Sequence, residues 1–300
     1  MSVAHNLRHA LNAVDKWLSR WDQTVEPSPQ GSRARYDEIV AFLRTLDMPS
    51  DARNYLEIHM NRIGVTLCMV PPPAATSRVL ELGAYMQMTP ALGCVLGYQE
   101  VRGAYFGEPG RVDHKSIQAG GKEVFTCEVD HFNCEKHRFP YEDGRFDCVL
   151  ACEIFEHMLL DPMHMLFEIH RVLADNGAVV LTTPNVASYT AVARALEQSG
   201  NPQLYSMYPY PHGEFRDTEI PHVREYTPNE LTQSLEAAGF AVEHLFTERV
   251  DEYNSHLWVE PFLERFGYPA ALRGEQMYCL ARKRSGAAQT RYPGFLYEGC

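Results

Sequence analysis

A glutamate and a glycine stand at the end of one short apolar run. The run Val79-Leu80-Glu81-Leu82-Gly83 is typical of a buried strand that stops at a tight turn. Gly83 would let the backbone come close to a ligand, and the Glu81 carboxylate would lie near an ammonium group whose charge it could balance. These two residues predict a site for a nucleotide-type cofactor. The alternative is a simple strand-to-helix turn without a ligand.

Two histidines and a tyrosine are candidates for proton transfer. His157 follows a predicted strand, and His222 and Tyr226 belong to the block HVREYT. A histidine can take a proton from a hydroxyl or an amine near neutral pH. We expect residues 222–226 to close over the cofactor and to place His222 or Tyr226 beside the reacting group. The alternatives are that both histidines are structural and that Thr227 merely caps the next helix.

Charge and cysteine content narrow the class of protein. The formal charge of −12 is not offset by a basic stripe, so nucleic acid is not expected as a partner. The eight cysteines lack the paired spacing of zinc or redox sites, so we expect them to be buried in a reducing compartment and expect no metal site. No apolar stretch approaches the roughly 20 residues that span a bilayer, and the N-terminus lacks an apolar signal core. The sequence thus predicts a cytoplasmic protein with no membrane partner.

Helical spacing is found in the first 72 residues. Apolar positions three to four apart predict helices over residues 5–22, Tyr36–Leu46 and Asp51–Met69. Pro71-Pro72-Pro73 cannot continue a helix, so we expect residues 1–72 to form an N-terminal helical cap.

From residue 73 to residue 284, short apolar runs alternate with helical segments, as in a parallel sheet flanked by helices. The predicted strands are Arg78–Leu82, Gln99–Ala104, Glu123–Val129, Cys148–Ala151, Ala178–Thr182, Ala241–Thr247 and Met277–Arg282. A helix is predicted from Pro162 to Leu173, capped by Asp161 and ended by a left-handed turn at Asn176-Gly177. Residues 200–227 lack periodicity and are predicted to form a lid loop, and residues 285–300 to form a mostly polar tail.

Four ordered blocks resemble the class I S-adenosylmethionine-dependent methyltransferases over roughly residues 76–284. The blocks are VLELGAYMQMTPAL, HFNCEKHRFPYEDGRFDCVLACEIFEHM, DPMHMLFEIHRVLADNGAVVLTTPN and HVREYTPNELTQSLEAAGF. The resemblance implies an α/β, Rossmann-like class I methyltransferase fold, with a mostly parallel seven-stranded sheet, helices on both faces and an N-terminal helical extension. It also implies S-adenosylmethionine as cofactor and methyl transfer to an acceptor, which we expect to be a small molecule or of glycan (carbohydrate) type.

The resemblance assigns cofactor contacts to residues at the ends of four strands. They are Glu81, Gly83, Ala84 and Tyr85 at the first turn, Tyr105 after the second strand, Asn133 and Cys134 at the adenine slot, and Cys152 and Glu153 at the pocket floor. The family's glycine-rich turn is reduced here to Gly83. Tyr105 replaces the acidic residue that binds both ribose hydroxyls, and a phenol cannot bind two hydroxyls as a carboxylate does. Asn133 could instead only make a turn with Asp130.

Two rival functions remain open from the sequence. The lost glycines and ribose acid are compatible with a non-catalytic methyltransferase-like protein that acts through partner or ligand binding. A nicotinamide-dependent oxidoreductase is disfavoured because no G-x-G-x-x-G turn follows the first strand. The sequence gives no indication of oligomeric state.

Overall fold

The computed structural model describes residues 33–208, 221–250 and 256–297. The helix predicted over residues 5–22 and part of the predicted lid, residues 209–220, lie outside these ranges.

The described part of the N-terminal region, from residue 33, is mainly helical. The described helices are α1 Arg33–Thr45, α2 Ser50–Ile58, α3 Met60–Met69, α4 Thr89–Cys94, α5 Pro162–Val172, α6 Tyr189–Glu197, α7 Pro228–Ala237 and α8 Val259–Arg265, with a short 3₁₀ helix at Phe155–His157. The single helix predicted from Asp51 to Met69 is two helices, because the backbone leaves helical geometry at His59 (φ −102°, ψ 13°).

In the described part of the chain, nine strands form one mixed sheet. They are β1 Leu46–Asp47, β2 Arg78–Leu82, β3 Glu100–Tyr105, β4 Val112–Ala119, β5 Lys122–His131, β6 Phe146–Cys152, β7 Leu173–Pro184, β8 Phe240–Glu248 and β9 Gln276–Lys283, in the order β1-β4-β5-β3-β2-β6-β7-β9-β8. The five central strands β5, β3, β2, β6 and β7 are parallel, and the four outer pairings are antiparallel. The Rossmann-like α/β fold is confirmed, but the prediction of seven mostly parallel strands is corrected to nine in a mixed sheet.

The two strands absent from the prediction are β1 and β4. Strand β4 is largely exposed and turns back into β5 at Gly120-Gly121, where both glycines have positive φ angles (59° and 75°). Parallel strands usually need a helical crossover, but here β4 returns the chain between β3 and β5 as an antiparallel strand. The sequence of β4 is polar and exposed and lacks the alternation of apolar and polar residues that indicates a half-buried strand. Strand β1 has only two residues, so neither strand could be predicted from local pattern.

Alternation along the central strands creates two apolar layers. Val79 in β2 packs with the N-terminal helices, whereas the next residue, Leu80, packs with α5 and α7 on the other face. Strand geometry therefore places Glu81 on the face that the N-terminal helices cover. The boundary predicted near residue 72 does not separate two cores, because Leu43 and Leu67 belong to the same apolar cluster as Val79.

Two predicted helix caps position the segments around the sheet edge. The Asp161 side chain accepts a hydrogen bond from the His164 amide, as predicted. Asn176 is left-handed (φ 61°), but it does not end the helix as predicted, because α5 already ends at Val172 and Asn176 lies within β7. The Thr227 side chain accepts from the Glu230 amide while the Glu230 side chain accepts from the Thr227 amide, which makes a reciprocal capping box for α7.

The C-terminal segment predicted as a tail is attached to the domain as far as residue 297. Arg291 Nη1 donates to Asp161 Oδ1 at 2.9 Å, and the Tyr297 hydroxyl donates to the same carboxylate at 2.5 Å. Among the described residues, none of the helices has both the length and the apolar character needed to span a bilayer.

Candidate active site

A cavity opens at the carboxyl ends of β2, β3, β5 and β6, beneath helices α2 and α3. Its lining includes most of the residues that the sequence assigned to the cofactor, namely Glu81, Gly83, Tyr85, Tyr105, Asn133, Cys134, Cys152 and Glu153. Ala84 is not part of this lining: it is buried, and its amide donates to the Ala104 carbonyl at 2.9 Å. Helices α2 and α3 add Tyr55, Arg62, Ile63 and Thr66, which the sequence analysis did not assign to the site.

Glu81 is a buried carboxylate whose environment favours a cationic ligand. The residue is 2% exposed, and Oε2 has no hydrogen-bond partner among the described residues. Burial raises the pKa of Glu81 to about 7. A buried carboxylate oxygen without a donor is costly, so a positively charged group in the cavity would stabilise it.

Gly83 allows the chain to turn at the end of β2. Its φ angle is 70°, and a Cβ added there would lie 3.1 Å from Ile154 Cδ1. A side chain at this position would therefore be strained and would also crowd the cavity wall. The contact of Gly83 with a cofactor stays a prediction.

Two tyrosines are in contact at the position where the family has an acidic residue that binds the ribose hydroxyls. The Tyr105 hydroxyl donates to the Tyr85 hydroxyl at 2.9 Å, and the two rings meet edge to face with centroids 4.9 Å apart. The neighbouring acidic residue Asp130 is already paired with Arg102 (Nε to Oδ2, 2.6 Å). A ligand at this wall would thus meet phenol hydroxyls and aromatic faces.

Asn133 makes a local turn and also faces the cavity. Its Oδ1 accepts from the Glu135 amide at 2.9 Å, whereas Asp130, the turn partner considered from the sequence, bonds elsewhere. The neighbouring Glu135 is buried, and its Oε2 accepts from the Leu160 amide at 2.7 Å. Asn133 can still offer its amide group and its second lone pair to a ligand.

The cavity floor is fixed by Glu153 and Arg62. Glu153 has a left-handed backbone (φ 54°), and its Oε1 accepts from Thr182 Oγ1 and from Gln276 Nε2, each at 2.8 Å. Its other oxygen forms an ion pair with Arg62 of α3, whose side chain is 13% exposed. No local motif marks Arg62, because its partner is distant in the sequence. The neighbouring thiol of Cys152 has its pKa raised, chiefly by burial, so it is protonated.

The three proposed catalytic side chains have different positions. His157 lines the cavity, and its ring meets the His222 ring edge to face at 4.7 Å. His222 lies behind His157, with Nδ1 3.3 Å from Glu225 Oε1. Tyr226 is 1% exposed, and its ring stacks on Phe155 at 4.4 Å, outside the lining of the cavity.

The placement of Tyr226 corrects the expectation that it lies beside the reacting group. A large aromatic ring gains more from burial against Phe155 than from exposure at a cavity rim. The alternative given for Thr227 is confirmed, because its side chain caps α7. Arg224 donates to Glu230 Oε1 of the same helix at 2.5 Å.

Glu156 is a buried carboxylate beside these histidines. Its side chain is fully buried, Oε2 accepts from Thr183 Oγ1 at 2.8 Å, and Oε1 has no hydrogen-bond partner among the described residues. Burial, together with the nearby Glu153 carboxylate, raises the pKa of Glu156 well above its ordinary value. Glu156 was not among the site residues predicted from the sequence.

The family is shown by comparison with known proteins. A family model described as a methyltransferase domain matches residues 26–245. The chain therefore belongs to this methyltransferase family; it is an S-adenosylmethionine-dependent enzyme of class I. The buried Glu81 carboxylate and the turn at Gly83 fit S-adenosylmethionine, the cofactor of this class. No curated protein matches the chain significantly.

Several solved structures resemble this chain at low sequence identity. A putative methyltransferase from Haloferax volcanii, solved in complex with the Trm112 methyltransferase activator, is 14% identical, covers 84% of this chain and 98% of its own, and has a TM-score of 0.48. A putative S-adenosylmethionine-dependent methyltransferase from Listeria monocytogenes is 15% identical, with coverages of 76% and 99% and a TM-score of 0.48. A possible histamine N-methyltransferase from Thermotoga maritima is 15% identical, with coverages of 78% and 95% and a TM-score of 0.45. These identities are too low to transfer a substrate.

Proposed function

We propose that this methyltransferase acts on a small-molecule or carbohydrate-type acceptor that enters the cavity beneath helices α2 and α3. The observation that carries the proposal is the cavity itself, which is lined by a buried carboxylate, Glu81, and by a histidine, His157. We also propose that the protein acts in the cytoplasm, in line with its scattered cysteines.

On the cofactor side, the side chains of the cavity would bind and orient S-adenosylmethionine. S-adenosylmethionine supplies an electrophilic methyl group, so the acceptor gains the methyl as the carbon–sulfur bond breaks. Glu81 would balance the ammonium group of the cofactor, and Gly83 keeps the first turn free of a side chain. The Tyr85 and Tyr105 hydroxyls would hydrogen-bond the ribose, and Asn133 with Cys134 would line the adenine slot.

On the acceptor side, His157 is the proposed proton acceptor. Among the described residues, it is the histidine that lines the cavity, and its ring packs on His222. The Glu225 carboxylate faces His222 Nδ1 and would hold that ring in one orientation. A dry, oriented site can supply most of the rate of a methyl transfer, because the displacement needs alignment more than acid–base chemistry.

The position of the N-terminal helices over the cavity favours a compact acceptor. Tyr55, Arg62 and Ile63 lie over the cavity and restrict the space next to Glu153. An acceptor of limited width, or a single sugar unit of a larger molecule, fits this restriction better than a folded protein surface.

The proposal is tested by measuring methyl transfer to mixtures of hydroxyl-bearing and amine-bearing small molecules and sugars, with the methyl group of S-adenosylmethionine radiolabelled. We expect label to appear in one class of acceptor and to be lost in His157→Ala, while S-adenosylhomocysteine still binds. The exposed variant His114→Ala is the control and should retain full transfer. Label incorporated only into protein or nucleic acid would contradict the proposed acceptor class, and absent cofactor binding would favour a non-catalytic binding protein.

A further inference from the structure

Three side chains with metal-binding atoms converge at the rim of the cavity. Glu156, His157 and His222 each offer one such atom, and these atoms all lie within 4.8 Å of one another. Glu156 and His157 come from the 3₁₀ helix that follows β6, whereas His222 comes from the segment before α7. The amides of Val223 and Arg224 donate to the Glu156 carbonyl at 2.8 and 3.2 Å, which ties the two segments together.

The atoms of Glu156 and His222 that face each other are not joined by a hydrogen bond. Glu156 Oε1 and His222 Nε2 are 4.0 Å apart, beyond hydrogen-bond length. Oε1 is buried and has no hydrogen-bond partner among the described residues, while the other oxygen is held by Thr183. A buried carboxylate oxygen without a donor is rare unless another group, such as an ion, binds it.

The 4.0 Å gap is compatible with two ligands of one metal ion and lies near the upper limit of their separation. Metal–nitrogen and metal–oxygen bonds to Zn²⁺ are about 2.0–2.2 Å long, so two ligands lie about 3 Å apart at a right angle and about 4.2 Å apart when opposite. The Glu156–His222 separation falls between these limits.

The second nitrogen of His222 is arranged as in a metal-binding histidine. Nδ1 lies 3.3 Å from Glu225 Oε1, so an Nδ1–H group would donate to that carboxylate and leave Nε2 directed toward Glu156. Histidines that bind metals usually donate their other N–H to a carboxylate or a carbonyl, which fixes the tautomer. Glu225 is itself fixed, because its carboxylate accepts the amides of Leu204 at 2.9 Å and Tyr205 at 2.7 Å.

We propose that Glu156, His157 and His222 bind a divalent metal ion at the rim of the cofactor cavity, and that this ion binds an oxygen atom of the methyl acceptor. The acceptor role rests on the proposed function, whereas the metal site itself rests on the geometry of the three side chains.

The ligand set and its position define the chemistry of the site. One carboxylate and two imidazoles suit Mn²⁺, Fe²⁺, Co²⁺ or Zn²⁺, and three protein ligands leave coordination positions open. Because His157 lines the cavity, an open position would face the acceptor. A bound cation lowers the pKa of a coordinated hydroxyl, so with the metal bound the ion replaces His157 as the group that promotes deprotonation, and the proton passes to solvent. The site then favours an alcohol, phenol or sugar hydroxyl over an amine.

The test measures metal binding directly in the full-length protein after treatment with a chelator. Mn²⁺ and Zn²⁺ are titrated separately by calorimetry, and S-adenosylhomocysteine binding is measured on the same samples. We expect one Mn²⁺ or Zn²⁺ per chain in the wild type. Glu156→Gln and His222→Ala should each weaken that binding at least tenfold, while S-adenosylhomocysteine affinity changes less than about threefold.

Two further variants separate a metal site from a packing cluster. Glu225→Gln leaves the three ligands in place but changes the group that orients His222, so it should lower metal affinity about 10–100-fold. His114→Ala, on an exposed strand, should bind metal as the wild type does. A variant that loses S-adenosylhomocysteine binding as well is misfolded and is replaced by His222→Gln or Glu156→Asp, which must then show the selective loss.

Equal metal affinity in the wild type and in the ligand variants would overturn the proposal, as would a wild type that binds neither ion stoichiometrically. If S-adenosylhomocysteine binds in that case, the two histidines act without a metal and the proposed methyl transfer stands. If the wild type binds the metal but not S-adenosylhomocysteine, the proposed function fails while the metal site remains.

Discussion

Replacing Glu81 by glutamine removes a charge from the cavity while keeping the shape of the side chain. The Glu81 carboxyl is 2% exposed, and Oε2 has no hydrogen-bond partner among the described residues. Burial raises the pKa of Glu81 from its ordinary value of 4.5 to about 7. Each pKa unit corresponds to about 1.4 kcal/mol, so ionisation of Glu81 destabilises the ligand-free fold by about 3 kcal/mol at pH values above 7.

The sign of the pH dependence follows from that raised pKa. Between about pH 4.5 and pH 7, the folded protein holds a proton on Glu81 that the unfolded chain has lost. The free energy of unfolding of the ligand-free wild type should therefore fall as pH rises through this window and level off above it. Glu81→Gln has no such proton, so it should lack this loss and be the more stable protein at pH 8.

Cofactor binding should respond in the opposite direction. A charge-assisted hydrogen bond from the cofactor ammonium to Glu81 is worth about 1.5–3 kcal/mol, so Glu81→Gln should weaken binding by about one to two decades. The wild type should also bind more tightly as pH rises toward 7, because the ammonium requires the ionised carboxylate.

The assays are urea unfolding at pH 5 and pH 8 and calorimetric titration of S-adenosylhomocysteine at the same pH values. Glu123→Gln is the matched control, because Glu123 is an exposed carboxylate on β5 and should alter neither quantity. The reasoning is refuted if Glu81→Gln binds S-adenosylhomocysteine as tightly as the wild type does and is less stable than the wild type at pH 8. Glu81 would then not face the cofactor.

Three other substitutions test the rest of the site and its support. Tyr105→Phe removes one hydroxyl and should change the free energy of cofactor binding by less than about 1 kcal/mol, whereas Tyr105→Ala should lower the affinity measured by calorimetry about tenfold. If Tyr105→Ala binds the cofactor as tightly as the wild type does, Tyr105 is a packing residue. Arg62→Met leaves the partly exposed Glu153 carboxylate without its ion-pair partner but with its hydrogen bonds from Thr182 and Gln276. It should lower the free energy of unfolding in urea by about 1–3 kcal/mol, and an unchanged free energy of unfolding would contradict a stabilising ion pair. Asp161→Ala removes a helix cap and the anchor of the C-terminal segment, so it should lower the free energy of unfolding by about 2 kcal/mol and speed proteolysis after residue 284. Equal proteolysis rates in the variant and the wild type would show that the anchor is unimportant.

The central strands were predictable because their side chains are buried on both faces. Strand β2 was predicted with its bounds, since Val79 and Leu80 pack into opposite layers and leave a continuous apolar run. Strand β4 has no such run and was missed, because its stability comes from pairing with β5 and not from its own burial. The sheet class therefore follows from local pattern, whereas the full strand count depends on long-range pairing.

The site divides in the same way. Glu81 and Gly83 were predictable because adjacent residues carry the signal. Arg62 and Glu156 were missed, since one reaches the cavity from a distant helix and the other acts with a histidine far along the chain. Tyr226 was predicted beside the reacting group from its position after a long loop, but an aromatic residue there can belong to a lid or to the core. The structure buries Tyr226 in the core.

The most direct test of the central claim is a parallel calorimetric titration of the wild-type protein with S-adenosylmethionine, S-adenosylhomocysteine and NAD. A methyltransferase with this cavity should bind the first two at one site per chain, with competition between them, and should not bind NAD. Binding of NAD, or the absence of heat with both S-adenosyl compounds at millimolar concentration together with an unchanged melting temperature, would contradict the account.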